Sequence, residues 1–249
     1  MSLGSLSTYA ATDVIVGGYT FPPFVEETAP KGGLTKAIIE HLNTQQDKYD
    51  FQFKETTPRR RYRNFEQNDF DIMLFEMPAW GWEANDVDVT MIGPIMTGGE
   101  VYVGRADSVD GPDYFASVKD KRIAAFLGYH YGFADFESDP EVLRKRFDIT
   151  LTQNHRANLR MIGKGRADIA VVTKSALQRF FKENPEAKEQ FAVSERLDQE
   201  YRLHAVVDGD ASAIAPADVK SLLRELSRSK AFADTLATFN ISDQWVYGD

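Results

Sequence analysis

The hydrophobic positions in the first third of the chain alternate between short continuous runs and helical spacing. The run 13–19 is apolar and β-branched and ends in glycines, which is typical of a buried strand. Leu34, Ile38 and Leu42 then recur at the spacing of one helix face, after Gly32-Gly33. The same reading predicts a strand, a short helix and a buried strand at 51–54, 59–67 and 70–75. This alternation predicts a parallel α/β sheet.

The same pattern restarts in the middle of the chain. It predicts strands at 122–127, 149–151 and 168–172, with helices from about Tyr131 and over 157–164. Asp71 and Asp168 occupy equivalent places, since each follows a helix and a polar turn and leads into a hydrophobic strand. An α/β unit used twice indicates two similar lobes.

Two β-rich segments, Glu100–Gly104 and Tyr201–Val207, flank the second unit and are suited to cross between lobes. Helices over 219–226 and 232–239 would return to the first unit. We therefore expect one lobe from 12–99 and 207–249 and a second from 100–206, with hinge strands near 99–104 and 201–207. Such a layout supports closure around a ligand. The alternative, one continuous doubly wound domain, is disfavoured because the pattern restarts after residue 104.

Composition narrows the possible partners. The 249 residues are 43% hydrophobic and 27% charged, with a net charge of −9, so nucleic acid and anionic membranes are not expected partners. The chain has no cysteine, which excludes disulfides and thiolate metal sites. No apolar run approaches the roughly 20 residues that span a bilayer. Met1–Gly4 resembles a cloning remnant rather than an export signal, and we expect that a native signal has been removed.

No catalytic motif is present in the sequence. The four histidines are scattered without metal-ligand spacing, and neither a Gly-x-Ser-x-Gly elbow nor a phosphate-binding loop occurs. We therefore predict no enzymatic activity, no catalytic residues, no metal and no cofactor.

Several motifs together resemble those of the family 3 extracellular solute-binding proteins, which serve ABC transporters and are best known for binding polar amino acids. They are similar in order and spacing along nearly the whole chain, at Gly18–Phe24, Gly33–Leu42, Asn68–Ile72, Val118–Ile123 and Met161–Asp168. The resemblance implies a two-lobed, periplasmic-binding-protein-like (type II) α/β fold with a hinge of two crossover segments. It also implies a binding role.

The chain departs from this family where the amino acid would be recognised. The family's carboxylate-binding Arg is absent, since no Lys or Arg occurs from Asn64 to Gly104. Thr173 stands where the family carries its ammonium-binding Asp. The resemblance therefore implies the fold and the binding role, but not an α-amino acid ligand.

Ligands of open α/β sheets bind beyond the carboxyl ends of the strands, which nominates the loop after the first strand. Tyr19, Phe21 and Phe24 lie there beside two prolines and are suited to stack on an apolar or cationic group. Alternatively, Phe21 and Phe24 only pack this loop onto its own lobe.

The loop after the third strand supplies a second set. Glu76 ends a buried strand, so it either pairs with an Arg or faces a ligand donor. Trp80 and Trp82 either line the pocket or pack the loop. These residues favour a cationic or aromatic solute. Arg61 is the expected inward member of a basic run at a helix start, as an anion site or as a partner of Glu76 across an empty cleft.

In the second unit the candidates are Tyr129 and His130, which follow Gly128, together with Asn154 and Thr173 after the next two strands. The glycine would let the backbone approach a ligand, and the N–H groups that follow would bind an oxygen. His155 is a further candidate.

We expect a monomeric periplasmic receptor that binds a small polar or zwitterionic molecule and delivers it to a membrane permease or sensor. The first alternative is an enzyme that resembles cyclohexadienyl dehydratases, with Glu76 as the acid, His130 as its helper and Arg61 as the carboxylate anchor. The second is a carrier that serves another periplasmic protein directly.

Overall fold

Eight strands form one mixed sheet in the computed structural model, which describes residues 10–209 and 212–248, without the side chain of Pro112. Met1–Gly4, interpreted above as a cloning remnant, lie outside the described residues. The strands are β1 Thr12–Gly18, β2 Tyr49–Glu55, β3 Ile72–Glu76, β4 Val89–Arg105, β5 Ile123–Phe126, β6 Ile149–Thr152, β7 Ile169–Thr173 and β8 Phe191–Asp208. Their order across the sheet is β2-β1-β3-β8-β4-β7-β5-β6.

Seven α-helices accompany these strands in the described ranges. They are α1 Leu34–Gln45, α2 Arg61–Glu66, α3 Pro140–Arg146, α4 His155–Gly163, α5 Lys174–Glu183, α6 Pro216–Ser227 and α7 Lys230–Phe239. We call β1–β3 with α1, α2, α6 and α7 the first lobe, and β5–β7 with α3, α4 and α5 the second lobe.

The two predicted α/β units are confirmed by the strand pairing. β1 is parallel to β2 and β3, and β5 is parallel to β6 and β7. The face of α1 that carries Leu34, Ile38 and Leu42 is buried. The two equivalent aspartates also act alike. Asp71 Oδ2 accepts from the Ile15 N–H at 2.7 Å, and Asp168 Oδ2 accepts from the Arg122 N–H at 2.8 Å. In each lobe an Asp thus ties its strand to the neighbouring parallel strand or the turn that enters it.

The crossing segments are parts of long strands. β4 has 17 residues and β8 has 18, and they pair antiparallel from Val89 with Asp208 to Arg105 with Phe191. The segments Glu100–Gly104 and Tyr201–Val207 thus lie within two long strands that pair with each other through both lobes. The pairing is irregular between Ile92 and Met96, a stretch that contains the Gly93-Pro94 bond, and again around Glu100.

The helix expected from about Tyr131 was also wrong. Only a short 3-10 turn, Gly132–Ala134, follows, and α3 begins at Pro140, where the Asp139 side chain caps its N-terminus. Asp135 and Phe136 adopt left-handed backbone angles, with φ of 59° and 61°, which stop the turn from continuing as a helix. Helices α3 and α5 were not predicted.

One hydrophobic core runs through both lobes, from Val14 and Leu34 past Met96 and Tyr201 to Ile169. A smaller core lies under α4 and α5 in the second lobe and contains Leu159, Ile162 and Leu177. The continuity of the main core means that the lobes are packed together in this arrangement. No helix in the described part of the chain is long and apolar enough to cross a membrane.

Candidate functional site

The carboxyl ends of β1, β3 and β5 meet where the two lobes face each other. This brings together five of the predicted residues, Tyr19, Phe21, Trp80, Tyr129 and His130, around a cavity of about 10 Å³ that Gly128, Gln199 and Tyr201 complete. Such a space holds one water molecule at most. The deep part of the cleft is therefore filled by the protein's own side chains.

Arg61 and Glu76 form a buried ion pair at the first-lobe side of this cleft. Arg61 Nε lies 3.2 Å from Glu76 Oε2, and each side chain is 1% exposed. The guanidinium carbon lies 4.4, 5.2 and 5.7 Å from the ring centres of Tyr62, Tyr19 and Trp82, which is cation–π geometry. Burial raises the pKa of Glu76, and the Arg61 charge opposes this shift.

The pair removes the reason to expect a cationic ligand at Glu76. The guanidinium of Arg61 already occupies the aromatic cage and neutralises the carboxylate. Of the two alternatives for Glu76, the structure thus has the one in which it pairs with an Arg. Phe75, just before it, adopts a left-handed φ of 67°, and the pairing of β3 with β8 shifts between Met73 and Glu76. For a bulky residue this conformation is strained.

His130 reaches from the second lobe to the first. Its Nδ1 lies 2.7 Å from the Phe136 carbonyl, which can only accept, so Nδ1 carries the proton and Nε2 is an acceptor. Nε2 faces Arg61 Nη2 at 3.3 Å and the Tyr62 hydroxyl at 3.0 Å. Burial, followed by the Arg61 charge, lowers the pKa of His130 to about 4. His130 is therefore neutral at physiological pH in this arrangement.

A second buried cluster of polar side chains, formed by Trp80, Gln199 and Glu100, joins the lobes at the hinge strands. Gln199 and Glu100 were not predicted as site residues from the sequence. The Gln199 side chain accepts from Trp80 Nε1 at 3.0 Å and donates to Glu100 Oε2 at 2.7 Å. Glu100 is 0% exposed, and burial, together with nearby Asp198, raises its pKa to about 8. The available signal was an acidic residue at the start of the β-rich segment Glu100–Gly104, which was interpreted only as a crossing segment.

Two backbone N–H groups in the loop after Gly128 are occupied by Asp198. Its carboxylate accepts from the N–H groups of Gly132 and Phe133, at 2.7 and 2.9 Å, and from the Tyr102 hydroxyl at 2.6 Å. In this arrangement the acceptor of these two N–H groups is an internal carboxylate from β8. Gly128 has a φ of 85°, so the glycine serves the turn that starts the loop.

The remaining predicted residues lie outside the central cavity, although Asn154 lines a second cavity of about 70 Å³ between the lobes. Phe24 stacks on Phe75 at 4.1 Å, and Trp82 packs edge-on against Phe65 at 5.2 Å. Asn154 is exposed and caps α4 by accepting from the Ala157 N–H at 2.8 Å. Buried Thr173 caps α5, so its hydroxyl stabilises a helix end.

His155 is buried beside the stacked rings of Phe126 and Tyr129 and contacts them edge to face, at 5.4 and 5.9 Å. Neither ring nitrogen has a hydrogen-bond partner among the described residues, and burial lowers the pKa of His155 to about 3. It is a neutral packing residue next to the cleft.

Polar contacts at the edges of the cleft also bridge the lobes. The Tyr129 hydroxyl donates to the Thr20 carbonyl at 3.1 Å, and Arg59 Nη2 lies 3.2 Å from Asp139 Oδ2. Arg179 of α5 pairs with Glu26. The structure is therefore a closed form, in which contacts on both sides of the filled central part of the cleft hold the lobes together.

An outer chamber of about 420 Å³ remains open between the lobes. It is lined from the first lobe by Thr20 and the segment 56–59, and from the second by 126–128 and Gln153. Its volume is within the range of small-molecule sites. It adjoins the filled centre at Gly128, which lines both spaces.

Within the described residues, no group of three or more His, Asp or Glu side chains is placed to hold a metal ion. The polar groups of the cleft instead bond to one another, in pairs that join the lobes.

The chain resembles solved two-lobed binding proteins over more than nine-tenths of its length. It is similar to Tv2483 bound to L-arginine, with a TM-score of 0.71 and 14% identity over 94% of this chain and 93% of that one. The GluR0 ligand-binding core from Nostoc punctiforme, in complex with L-glutamate, has a TM-score of 0.67 and 13% identity, over 91% and 98% of the two chains.

A third similar structure is the substrate binding protein of an amino acid ABC transporter, with a TM-score of 0.63 and 16% identity over 91% of this chain and 98% of that one. No protein-family profile and no curated protein sequence matches the chain. At these identities the likeness carries the fold alone. The predicted two-lobed α/β fold is confirmed.

Proposed function

We propose that this protein binds a small polar solute between its lobes and presents the bound form to a membrane transporter or sensor, without chemical conversion. The supporting observation is that polar and aromatic groups from the strand ends of both lobes converge on one cleft, where Trp80 and His130 face each other with parallel rings. The proposed location is the periplasm, and the proposed working unit is a monomer.

The lobe boundaries belong to this proposal. We place the first lobe at 12–99 and 207–249 and the second at 100–206. The register shift of β4 around Glu100, opposite Gln199 on β8, supports a bend at this level. A change of a few backbone angles there would separate the lobes without unfolding either one.

The similar structures include binding proteins whose names mention arginine or glutamate. Their ligands are not transferred to this chain, because its cleft lacks the family's Arg and Asp and is filled by its own residues. The dehydratase alternative has no observation in its favour. Glu76 is paired with Arg61, and the one proton of His130 is held by the Phe136 carbonyl.

The first test is a thermal-shift screen of the purified protein against small carboxylates, amines, amino acids and sugars. A ligand at 100 times its Kd adds about 2.7 kcal/mol, which for a chain of this size raises the Tm by about 5 to 10 °C. Absence of stabilisation by every class would contradict the proposal, as would turnover of a bound compound.

Lobe movement gives a second readout. The chain contains no cysteine, so fluorophores can be placed specifically on exposed Ser221 of α6 and Lys145 of α3 after S221C and K145C substitutions. A ligand of the cleft changes the distance between these labels. The ligand should also change the fluorescence of Trp80, which lines the cleft. Trp245 lies outside the cleft, so the Trp245→Phe variant should retain this fluorescence change.

A further inference from the structure

Hydrogen-bond donors of the first lobe converge on His130. Arg61 Nη2 donates to the Trp80 carbonyl at 3.1 Å and directs its other hydrogen toward His130 Nε2 at 3.3 Å. The Tyr62 hydroxyl lies 3.0 Å from the same nitrogen and also contacts the Trp80 carbonyl, so its one hydrogen serves one of them at a time. When the lobes separate, His130 leaves with the second lobe. One hydrogen of Arg61 Nη2 then loses its acceptor, and the Tyr62 hydroxyl keeps only the Trp80 carbonyl, which it shares with Arg61.

Trp80 Nε1 is a third donor on this wall, and its present acceptor is Gln199 Oε1 at 3.0 Å. The donors therefore belong to the first lobe. Their present acceptors, His130 and Gln199, are neutral groups of the second lobe and the hinge strands. An incoming group that satisfies the donors must accept several hydrogen bonds from them. A carboxylate has this capacity, and charged acceptors form stronger hydrogen bonds than neutral ones.

The carboxylates around the cleft are already occupied. Glu76 pairs with Arg61, Glu26 pairs with Arg179, and Asp198 accepts from two backbone N–H groups and a tyrosine. Glu100 accepts from Gln199 Nε2 at 2.7 Å, and its raised pKa, about 8, keeps it protonated at neutral pH. An ammonium group that entered the cleft would therefore find each of these four carboxyl groups already ion-paired or hydrogen-bonded.

The rest of the central cavity is lined mainly by aromatic rings. The ring of Phe21 lies 5.7 Å from Trp80, 5.5 Å from Tyr129 and 5.8 Å from Tyr201, each edge to face. If these contacts open, the rings form walls suited to a flat apolar body.

We infer that the solute is a carboxylate with a flat apolar body and no ammonium group, and that its oxygens replace His130 Nε2 at Arg61 and Tyr62. This inference rests on the proposed binding function and narrows its ligand class. The bound form holds the lobes farther apart than here, because the present central cavity of about 10 Å³ admits only water.

Four probes of one shape test this inference by isothermal titration of the full chain. They are 3-phenylpropanoate, its uncharged amide, 2-phenylethylamine and phenylalanine. We expect 3-phenylpropanoate to bind, the amide to bind at least about tenfold more weakly because a charged acceptor is lost, and the amine and phenylalanine to be weaker still.

A variant separates the site from general affinity for aromatic acids. Tyr62→Phe removes one donor and keeps the Arg61–Glu76 pair, so binding of 3-phenylpropanoate should weaken about five- to tenfold. The matched control is Tyr49→Phe, which removes a hydroxyl that donates to Asp218 at 2.6 Å, away from the cleft, and should leave the affinity unchanged.

The outcomes distinguish the inference from the function on which it rests. Tighter binding of the amine or of phenylalanine than of the carboxylate overturns the ligand class and leaves the binding role standing. So does equal weakening by Tyr62→Phe and Tyr49→Phe, or a hit confined to sugars in the broader screen. No binding in either experiment overturns both proposals.

Discussion

Arg179 of α5 and Glu26 of the loop after β1 form an ion pair between the lobes, with Arg179 Nη2 3.2 Å from Glu26 Oε1. Both side chains are partly buried, at 24% and 20% exposure. Arg179 Nε also lies 3.0 Å from Glu183, so it stays anchored to its own helix when the interlobe contact is lost. The pair therefore acts on closure rather than on the stability of either lobe.

Glu26→Gln should shift the closed–open equilibrium toward the open form by about 1 kcal/mol, a factor of roughly five, because the charge attraction is lost. The label distance between Ser221 and Lys145 measures this shift. The control is Asp234→Asn, which removes an exposed partner of Lys230 within α7. An unchanged distance distribution in Glu26→Gln would show that the pair does not hold the lobes together.

Glu76→Gln should lower the free energy of unfolding by about 3 to 5 kcal/mol, because it leaves the guanidinium of Arg61 buried without a counter-charge. Urea denaturation followed by circular dichroism gives this value. Glu40→Gln, which breaks an exposed pair with Lys31, should cost less than about 1 kcal/mol. Replacing both partners, as in the double variant Arg61→Met and Glu76→Leu, should recover much of the loss. A loss in Glu76→Gln no larger than in Glu40→Gln would contradict the buried pair.

Closure should weaken in acid through His130. The pKa of His130 falls from its ordinary value of 6.5 to about 4 in the closed form, so the neutral ring favours closure. Its contribution to the free energy of closure is complete above pH 6.5. This contribution is lost as the pH falls toward 4, by up to about 1.4 kcal/mol per pH unit. The charged groups that act on the ring are Arg61 from α2, which opposes protonation, and Glu137 from its own loop, which favours it.

The label distance followed from pH 7.5 to 4.5 tests this effect. His130→Gln keeps a donor and an acceptor but does not titrate, so its profile should be flatter than that of the wild-type protein. Identical profiles for the two proteins would remove His130 as the cause.

Glu100→Gln should gain stability relative to the wild-type protein as the pH rises. The pKa of Glu100 is raised from 4.5 to about 8, so its favourable contribution is complete below pH 4.5 and is lost as the pH rises to 8. Because glutamine does not titrate, the difference in unfolding free energy should grow by up to about 1.4 kcal/mol per pH unit across this interval and level off above it. Denaturation curves at pH 5, 6.5 and 8 measure it, and a difference independent of pH would mean that Glu100 is ionised throughout.

Local patterns predicted the framework of each lobe because they depend on neighbours along the chain. The spacing of Leu34, Ile38 and Leu42 defines one helix face whatever surrounds it. The equivalence of Asp71 and Asp168 reflects the same task, a hydrogen bond from a backbone N–H near the neighbouring strand.

The centre of the cleft depends on pairs that are far apart in the sequence, so the pattern could only nominate its members. Arg61 was expected to point inward and does so, but its pairing with Glu76 was one of two alternatives. The acceptor of the loop N–H groups, Asp198, lies 66 residues after Gly132 and belongs to a strand that carries no motif. Gln199 was missed for the same reason.

The carboxylate of Asp198 also reduces the conformational entropy that the second lobe loses when it binds a solute. Because it accepts from Gly132 and Phe133, the loop that carries Tyr129 and His130 has its shape before any solute arrives. Ordering a loop during association costs affinity, and a loop ordered in advance avoids that cost. Phosphate or sulfate ions in the medium would also have to displace a tethered carboxylate to reach these N–H groups. The second lobe therefore presents a rigid surface to its solute. The conformational changes that accompany binding occur in the donor groups of the first lobe and in the hinge.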